Sequence, residues 1–397
     1  LNYLCSMAKY VIILLAFLAA YLDYKAYRKS IDCNSGKILR RIFIWAVSSS
    51  YILLFTSPLF MFLLSNENNN GFMMKLSMAI LTFYIVFSVT RIVFYIFWLP
   101  TKKRFWTYTG VVISSLVLLN FLYGIFITRT NYEVREVEIR FNNLPCSFDG
   151  YRIAFISDIH IGSMLNAESE ISRVVDIINS TGADILMFGG DMVNIYSSEL
   201  SEEILGVLSA VKCPDGAFAV LGNHDTGAYT KEATPASQEQ NRVDLSQAME
   251  SIGWVMLRDS TIYIERGCDS IALTGIDYSD ELLEHKHSLD VIKDIDVSSI
   301  YRDVNSDIFN ITVSHLPQLW QLLYEGDYSD LTLSGHIHSM QIKYFSLSPA
   351  ALMYDNWSGL YTSGEYKQYI NDGIGSVAFM ARFGARPEIT VITLKCE

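Results

Sequence analysis

Ile153-Ala-Phe-Ile-Ser-Asp158-Ile-His160 is an apolar run that stops abruptly on a carboxylate and an imidazole. Such a run reads as a buried strand whose C-terminal end delivers ligands, where open α/β sheets place them. Residues i and i+2 of a strand face the same way, so Asp158 and His160 can approach one metal together. By itself the stretch reads more readily as a buried strand that runs into an ordinary turn. The rest of the chain decides.

Working outward, four more apolar strands end in short boxes of small, acidic or histidine residues. Ile185–Phe188 ends in Gly189-Gly-Asp191, and Ala217–Leu221 ends in Gly222-Asn-His-Asp225. Ile308–Ser314 ends in His315, and Leu331–Ser334 ends in Gly335-His-Ile-His338. The chain holds seven histidines, and five of them fall in these boxes, which incidental core histidines would not do. Glycines before Asp191, Asn223 and His336 let the backbone turn and approach a ligand without a Cβ in the way. Between the strands, Glu168–Asn179 carries Ile171, Val174, Val175 and Ile178 at helical spacing, and Leu200–Ala210 reads as another helix. Glu133–Arg140 alternates as a first strand, so the globular part is predicted to be α/β.

The remaining segments are less regular. Residues 226–243 are polar and read as a long loop bordering a site, followed by a helix over Val243–Ile252. Short strands are expected at Val255–Leu257, Thr261–Ile264 and Ile271–Gly275, and residues 278–307 as irregular chain with His285 and His287 at the surface. Ser376–Leu394 is read as two strands around Gly384-Ala-Arg-Pro387.

The five boxes, in this order, resemble the calcineurin-like metallophosphoesterase superfamily from about Phe141 to the C-terminus. The apolar N-terminal segments and the stretch Arg382-Phe-Gly-Ala-Arg-Pro-Glu-Ile389 resemble its bacterial membrane-anchored branch. The resemblance implies a four-layer α/β/β/α sandwich of two mixed sheets, with two divalent metals (Mn, Fe or Zn) between the sheet ends. By the family pattern Asp158, His160 and His338 hold the first metal, Asn223, His315 and His336 the second, and Asp191 bridges them. Such a pair, roughly 3.5–4 Å apart, clamps both oxygens of an in-line displacement, and a bridging hydroxide is the implied nucleophile. Two dications against Asp158 and Asp191 leave the site about +2, which attracts a phosphoryl group. In the family the His224 position stabilises or protonates the leaving oxygen, and Asp225 is expected to orient that ring and raise its pKa. Ser339-Met340 stands where many relatives carry a glycine pair, a change at the pocket rim that removes no ligand.

Charge and hydropathy divide the 397 residues near position 130. Residues 1–129 hold 13 Lys/Arg against 3 Asp/Glu, and the remainder 17 against 39, formally +10 and −22. An acidic globular part excludes a nucleic-acid surface, which needs a basic footprint. Apolar stretches at Ala8–Leu22, Ile42–Leu64, Met73–Phe97 and Tyr108–Ile127 predict a transmembrane region of about four helices over residues 1–130, preceding a metallophosphoesterase domain over 131–397. The first stretch is the shortest, and its basic cluster follows the apolar run, unlike a signal peptide. Basic residues crowd the first and third connections (Lys25 to Arg41, Lys102 to Arg104) and are missing from the second, Ser65–Gly71. The positive-inside rule then puts those two connections in the cytoplasm and the C-terminal domain outside it, in a bacterial cell membrane. Lys75 and Arg91 lie towards the ends of the third stretch, where long side chains snorkel, and no span supplies an acidic partner.

Six scattered cysteines without C-x-x-C spacing exclude a zinc ribbon or redox pair. Cys146 and Cys396 stand at opposite ends of the globular part; buried free thiols are the favoured reading, with a disulfide as the alternative in an exported domain. The function expected is hydrolysis of a phosphomonoester or phosphodiester, lipid-linked or soluble, by a membrane-anchored enzyme. The alternative is a non-catalytic metal-binding receptor or signalling module on the same fold, which the complete ligand set disfavours. A transporter built on the four spans is disfavoured by their few polar residues.

Overall fold

A computed structural model describes residues 4–32, 36–64, 70–229, 233–285, 292 and 295–397. His287 and most of the Ser65–Gly71 connection lie outside them. The chain divides into two compact units, Leu1–Ile127 with Ala378–Ala381, and Thr128–Val377 with Arg382–Glu397.

Among its described residues the first unit holds four helices, α1 (Leu4–Asp32), α2 (Lys37–Leu64), α3 (Asn70–Trp98) and α4 (Arg104–Phe126). Among the described residues three segments are long and apolar enough to cross a membrane: Lys37–Thr56, Gly71–Trp98 and Arg104–Thr130. The expectation that Arg91 lacks an acidic partner is corrected. Helix α1 continues ten residues past Leu22, so Asp23 lies within it and pairs with Arg91 at 3.1 Å, both buried. The Tyr51 and Tyr95 hydroxyls each donate to the Asp23 carboxylate at 2.9 Å. A carboxylate one residue beyond an apolar run is invisible to a hydropathy window, yet it faces α3 once the helices pack.

The second unit holds twelve strands among its described residues. They are β1 (Glu133–Phe141), β2 (Arg152–Ile156), β3 (Ile185–Phe188), β4 (Ala217–Ala219), β5 (Val255–Met256), β6 (Ser260–Arg266), β7 (Asp269–Ile276), β8 (Asn310–Ser314), β9 (Leu331–Ser334), β10 (Gly359–Ser363), β11 (Tyr366–Ile370) and β12 (Glu388–Cys396). Two mixed six-stranded sheets result, ordered β1-β12-β2-β3-β4-β5 and β10-β11-β9-β8-β7-β6. Side chains alternate across each strand, so β2 sends Ile153 and Phe155 into the layer between the sheets and Ala154 and Ile156 outward. The inter-sheet layer also takes Ile185 and Met187 from β3, Ile311 and Val313 from β8, and Leu331 and Leu333 from β9. Strands buried on both faces read as continuous apolar runs, which is why they stood out in the sequence. Helices α5 (Ala167–Thr181), α6 (Glu202–Leu208), α7 (Pro235–Ser251), α8 (Asp280–His285) and α9 (Trp320–Glu325) flank the sheets, giving the α/β/β/α sandwich.

Local chemistry sets the ends of these helices. The Asn166 side chain accepts from Ser169 N at the start of α5, and Gly182 ends it with a left-handed φ of 65°. Helix α7 corrects the loop expected over residues 226–243. It begins at Pro235 after Thr234, whose hydroxyl accepts from Ser237 N, and proline at the first position suits an N-terminal turn. Two strands over Ser376–Leu394 were likewise one too many. Only β12 forms there, while the β10–β11 hairpin around Gly364 went unread because its strands mix polar and apolar side chains.

Cys146 and Cys396, distant in sequence, meet in space. Cys396 pairs with Phe141 in the β1–β12 ladder, and its N–H donates to Asp149, which ends the turn carrying Cys146. The two Sγ atoms are 3.4 Å apart, with Cys146 exposed and Cys396 half-buried, so neither is the buried thiol expected.

Candidate metal centre

Strands β2, β3 and β4 are parallel neighbours in one sheet, and β8 and β9 are parallel neighbours in the other. Their C-terminal ends therefore lie along one edge of each sheet, where ligand sites of α/β proteins form. All seven residues read as ligands arrive there. Asp158 and His160 follow β2, Asp191 follows β3, Asn223 follows β4, His315 follows β8, and His336 and His338 follow β9.

The donor atoms converge in two groups. His338 Nε2 lies 3.0 Å from Asp158 Oδ1 and 3.2 Å from His160 Nε2. On the other side His315 Nε2 is 3.1 Å from Asn223 Oδ1 and 3.3 Å from His336 Nδ1. Asp191 stands between them, with Oδ2 at 3.2 Å from His315 Nε2 and 3.6 Å from His160 Nε2. One donor atom each from Asp158, His160 and His338, and one each from Asp191, His315 and His336, lie mutually within 4.8 Å. A third such triplet joins His160, Asp191 and His224.

Whether these residues suit divalent metals can be judged from the donors themselves. Four imidazoles, two carboxylates and an amide oxygen point at one another with fewer protons than lone pairs, and imidazole with carboxylate is a set that transition metals favour. The backing bonds aim the lone pairs inward. His315 Nδ1 donates to Gly189 O at 2.8 Å, so Nε2 is the nitrogen aimed at the other donors. Asn223 Nδ2 donates to the Tyr229 hydroxyl at 2.6 Å, which turns Oδ1 towards His315. Asp158 accepts from Ser157 Oγ at 2.5 Å and from His336 N at 3.0 Å. The residues fit a metal pair.

The backbone is bent to reach this arrangement. Asp158, His160, Asp191, His336 and His338 have φ of 54°, 47°, 61°, 73° and 55°. Residues with a Cβ rarely adopt this region, at a cost on the order of 1–2 kcal/mol each. Hydrogen bonds between boxes hold the bends: Asp158 N donates to Gly190 O at 2.8 Å, and His160 N to Asp191 O at 3.0 Å. Such conformations persist where surroundings enforce them, and they gather at functional sites.

Glycines admit the carboxylates. A Cβ on Gly222 would stand 2.2 Å from Asp191 Oδ1, and one on Gly335 would stand 2.4 Å from Asp158 Oδ2. No other residue fits either place without displacing a proposed ligand.

Electrostatics follow from burial and pairing in the metal-free site. Burial alone would raise both carboxylates, but His338 holds Asp158 and His315 holds Asp191 below the usual range. Burial pushes His160 well below an ordinary imidazole and His336 down to about 3, with neighbouring imidazoles adding to it. His315 is the exception. Burial lowers it, but the Asp191 charge outweighs burial and raises it to about 9.

His224 stands beside the donor cluster, but Asp225 does not have the role expected of it. The His224 ring donates from Nδ1 to the Asn194 carbonyl at 2.7 Å, and the His224 backbone N–H donates to Asp191 Oδ1 at 2.8 Å. Asp225 does not carry the ring. Its oxygens accept from the N–H groups of Asp191 at 2.8 Å, Gly222 at 2.9 Å and Val193 at 3.1 Å, tying the second and third boxes together. The orienting role expected of Asp225 thus falls to Asn194, whose carbonyl no side-chain pattern could announce.

Two tyrosines went unread. Tyr229 stacks on His224 with centroids 4.3 Å apart and 14° between planes. Tyr278 meets His315 edge-on at 5.8 Å, with its hydroxyl buried and without a hydrogen-bond partner among the described residues. Neither lies in a glycine- or histidine-bearing box, so the sequence carries no signal for them. His285, read as a surface residue, is half-buried at the end of α8.

Comparison with known proteins follows the same lines. Residues 151–340 match the family model described as "Calcineurin-like phosphoesterase". Relatives include the uncharacterized metallophosphoesterase YkuE of Bacillus subtilis, 27% identical, with 66% of this chain and 85% of the relative covered. A "Transmembrane protein with metallophosphoesterase domain" of Danio rerio is 29% identical, covering 73% of this chain and 62% of the relative's length. An uncharacterized metallophosphoesterase of Helicobacter pylori is 27% identical, covering 79% of this chain and 77% of the relative. A dimetal phosphatase structure from Danio rerio aligns at 11% identity and a TM-score of 0.34, covering 57% of this chain and 88% of that one.

Proposed function

We propose that this chain, whose residues 151–340 match the calcineurin-like phosphoesterase family model, is a membrane-anchored enzyme that cleaves a phosphate monoester or diester outside the cytoplasm. Metal-dependent phosphoester hydrolysis is the activity of that family. The observation that carries the assignment of the site is the meeting of five strand ends, with five of seven donors in left-handed backbone, at one edge of two sheets.

In this reading Asp158, His160 and His338 hold one metal, Asn223, His315 and His336 the other, and Asp191 both. Such metals supply Lewis acidity towards the phosphoryl oxygens and lower the pKa of a coordinated water. The protein's own groups do the rest. His224 gives its Nδ1 proton to the Asn194 carbonyl, so Nε2 is the atom that exchanges a proton with the leaving oxygen. Tyr229, stacked on that ring, keeps it from rotating and shields it from water. Asp225 keeps the Asp191 and Gly222 backbones in register, so that Asp191 can face both sides. The anchor comprises the apolar helices, and the orientation rests on the basic first and third connections.

The test uses the purified full chain loaded with Mn²⁺ or Zn²⁺ and an aryl phosphate ester. Hydrolysis that chelation abolishes is expected, and Asp191→Ala should bind neither metal. His224→Gln should keep both metals yet slow most on esters with poor leaving groups. No turnover with any divalent metal would sink the assignment.

A further inference from the structure

Seven residues after His338 the chain makes a tight hairpin whose tip is apolar and bare. Tyr344 and Leu347 exchange backbone hydrogen bonds of 2.9 and 2.8 Å, leaving Phe345 and Ser346 as the turn. Both have positive φ, 50° and 67°, a pair of conformations that normally selects Asn-Gly. A phenylalanine there is costly twice, in backbone strain and in exposure. Phe345 is 99% exposed, Leu352 90% and Leu347 75%. Among the described residues of the second unit these are the three most exposed large apolar side chains, and they fall within eight residues.

The base of the hairpin is as firm as its tip is bare. Lys343 N donates to Phe383 O at 2.9 Å, and Lys343 Nζ reaches Asp372 Oδ2 at 2.8 Å. Ser348 Oγ donates at 2.7 Å to the carbonyl of Ser339, the residue that follows His338. The tip is thus rigidly coupled to a proposed metal ligand. Charge singles out the same segment. Residues 339–354 contain no Asp or Glu, although the part of the chain after residue 129 is formally −22.

We propose that Phe345, Leu347 and Leu352 dip into the interfacial layer of a lipid bilayer, and that the substrate is a phosphate ester carried by a lipid. The occupant is argued from the chain itself. The same polypeptide carries three helices apolar enough to cross a membrane, joined to β1 by only the residues 127–132. An acid-free apolar tip meets an anionic lipid surface without repulsion, and aromatic side chains prefer that layer. A tip anchored beside His338 would bring the site to the depth of lipid head groups. The substrate half of this inference rests on the phosphoesterase reading above; the membrane half does not.

The experiment takes the full chain in vesicles of phosphatidylglycerol and phosphatidylcholine, with Phe345→Trp as the reporter and the unsubstituted chain as the emission baseline. The added emission should be blue-shifted and quenched by lipids brominated on their acyl chains. Emission like that of a water-exposed indole, unquenched, would overturn the membrane contact whatever the enzyme does. A signal that varies with protein density would overturn it in favour of self-association. For the substrate, Phe345→Ser with Leu352→Ser should hydrolyse a soluble aryl ester at the unsubstituted rate, but lose about tenfold or more on a phosphatidate in vesicles. Equal rates on phosphatidate would overturn the lipid-linked substrate. Loss of the soluble activity in the unsubstituted chain would instead strike the phosphoesterase reading.

Discussion

Gly222→Ala tests the geometry of the site with one methyl group. Its Cβ would stand 2.2 Å from Asp191 Oδ1, 2.6 Å from Asp191 N and 2.8 Å from Asp191 Cγ. An ordinary contact needs about 3.4 Å, so the carboxylate must retreat by roughly 1 Å. It has little room, since Asp225 pins the backbone of both residues. Displacement of a catalytic group by about 1 Å costs on the order of 100-fold, or about 2.7 kcal/mol of transition-state stabilisation. The expectation is a fall of that order in kcat/KM on an aryl phosphate, with metal content reduced on the Asp191 side. Gly206→Ala is the control, since a Cβ in that helix meets nothing within 4 Å and should leave rate and metal unchanged. Circular dichroism and thermal melting establish that both variants are folded. A Gly222→Ala protein with full metal and a rate within about threefold of the parent would refute the idea that Asp191 is held by this close approach.

Two further outcomes follow. His315 is raised to about 9 in the metal-free protein, so below that pH a metal must displace its proton. Affinity measured by competition with a chelator should therefore rise about tenfold per pH unit from 7 towards 9, with proton release in weakly buffered solution; a flat profile refutes this. The sign for stability is the reverse. A folded pKa above the unfolded value of roughly 6.5 means that the metal-free protein gains most below 6.5 and loses that gain as pH rises through 9. Separately, Cys146 and Cys396, 3.4 Å apart, should close on treatment with oxidised glutathione, with two hydrogens lost from the intact mass and glutathione released as its thiol. Melting should rise by about 5 °C or more, and Cys146→Ser should abolish the change; two thiols still free to alkylation afterwards would refute the closure.

The legible part of the site was its local grammar. An apolar strand buried on both faces, then a small residue, then a polar ligand, is a pattern of adjacent residues; glycine fills the small place in three of the five boxes and serine in the other two. Gly222 and Gly335 illustrate why: only glycine lets a strand end pass so close to a carboxylate. Helix α7 was misjudged over its first turns because its mean composition is polar, although Thr234-Pro235 marks its start. The β10–β11 hairpin was missed because polar and apolar side chains mix along both of its strands.

From the sequence alone came the two-part chain, the α/β alternation, the order of the boxes and the residues in them. These are properties of neighbours: hydropathy over a window, periodicity along an element, turn residues after a strand. Only the tertiary structure decided that the boxes meet, since their proximity depends on which strands pair in parallel and which sheet faces which. It alone placed Asn194 behind His224, turned Asp225 towards backbone N–H groups, joined Asp23 to Arg91 and brought Cys146 to Cys396. Each of those contacts links residues about 30 or more positions apart. Burial and sheet register select them, and neither is written in any short stretch of chain.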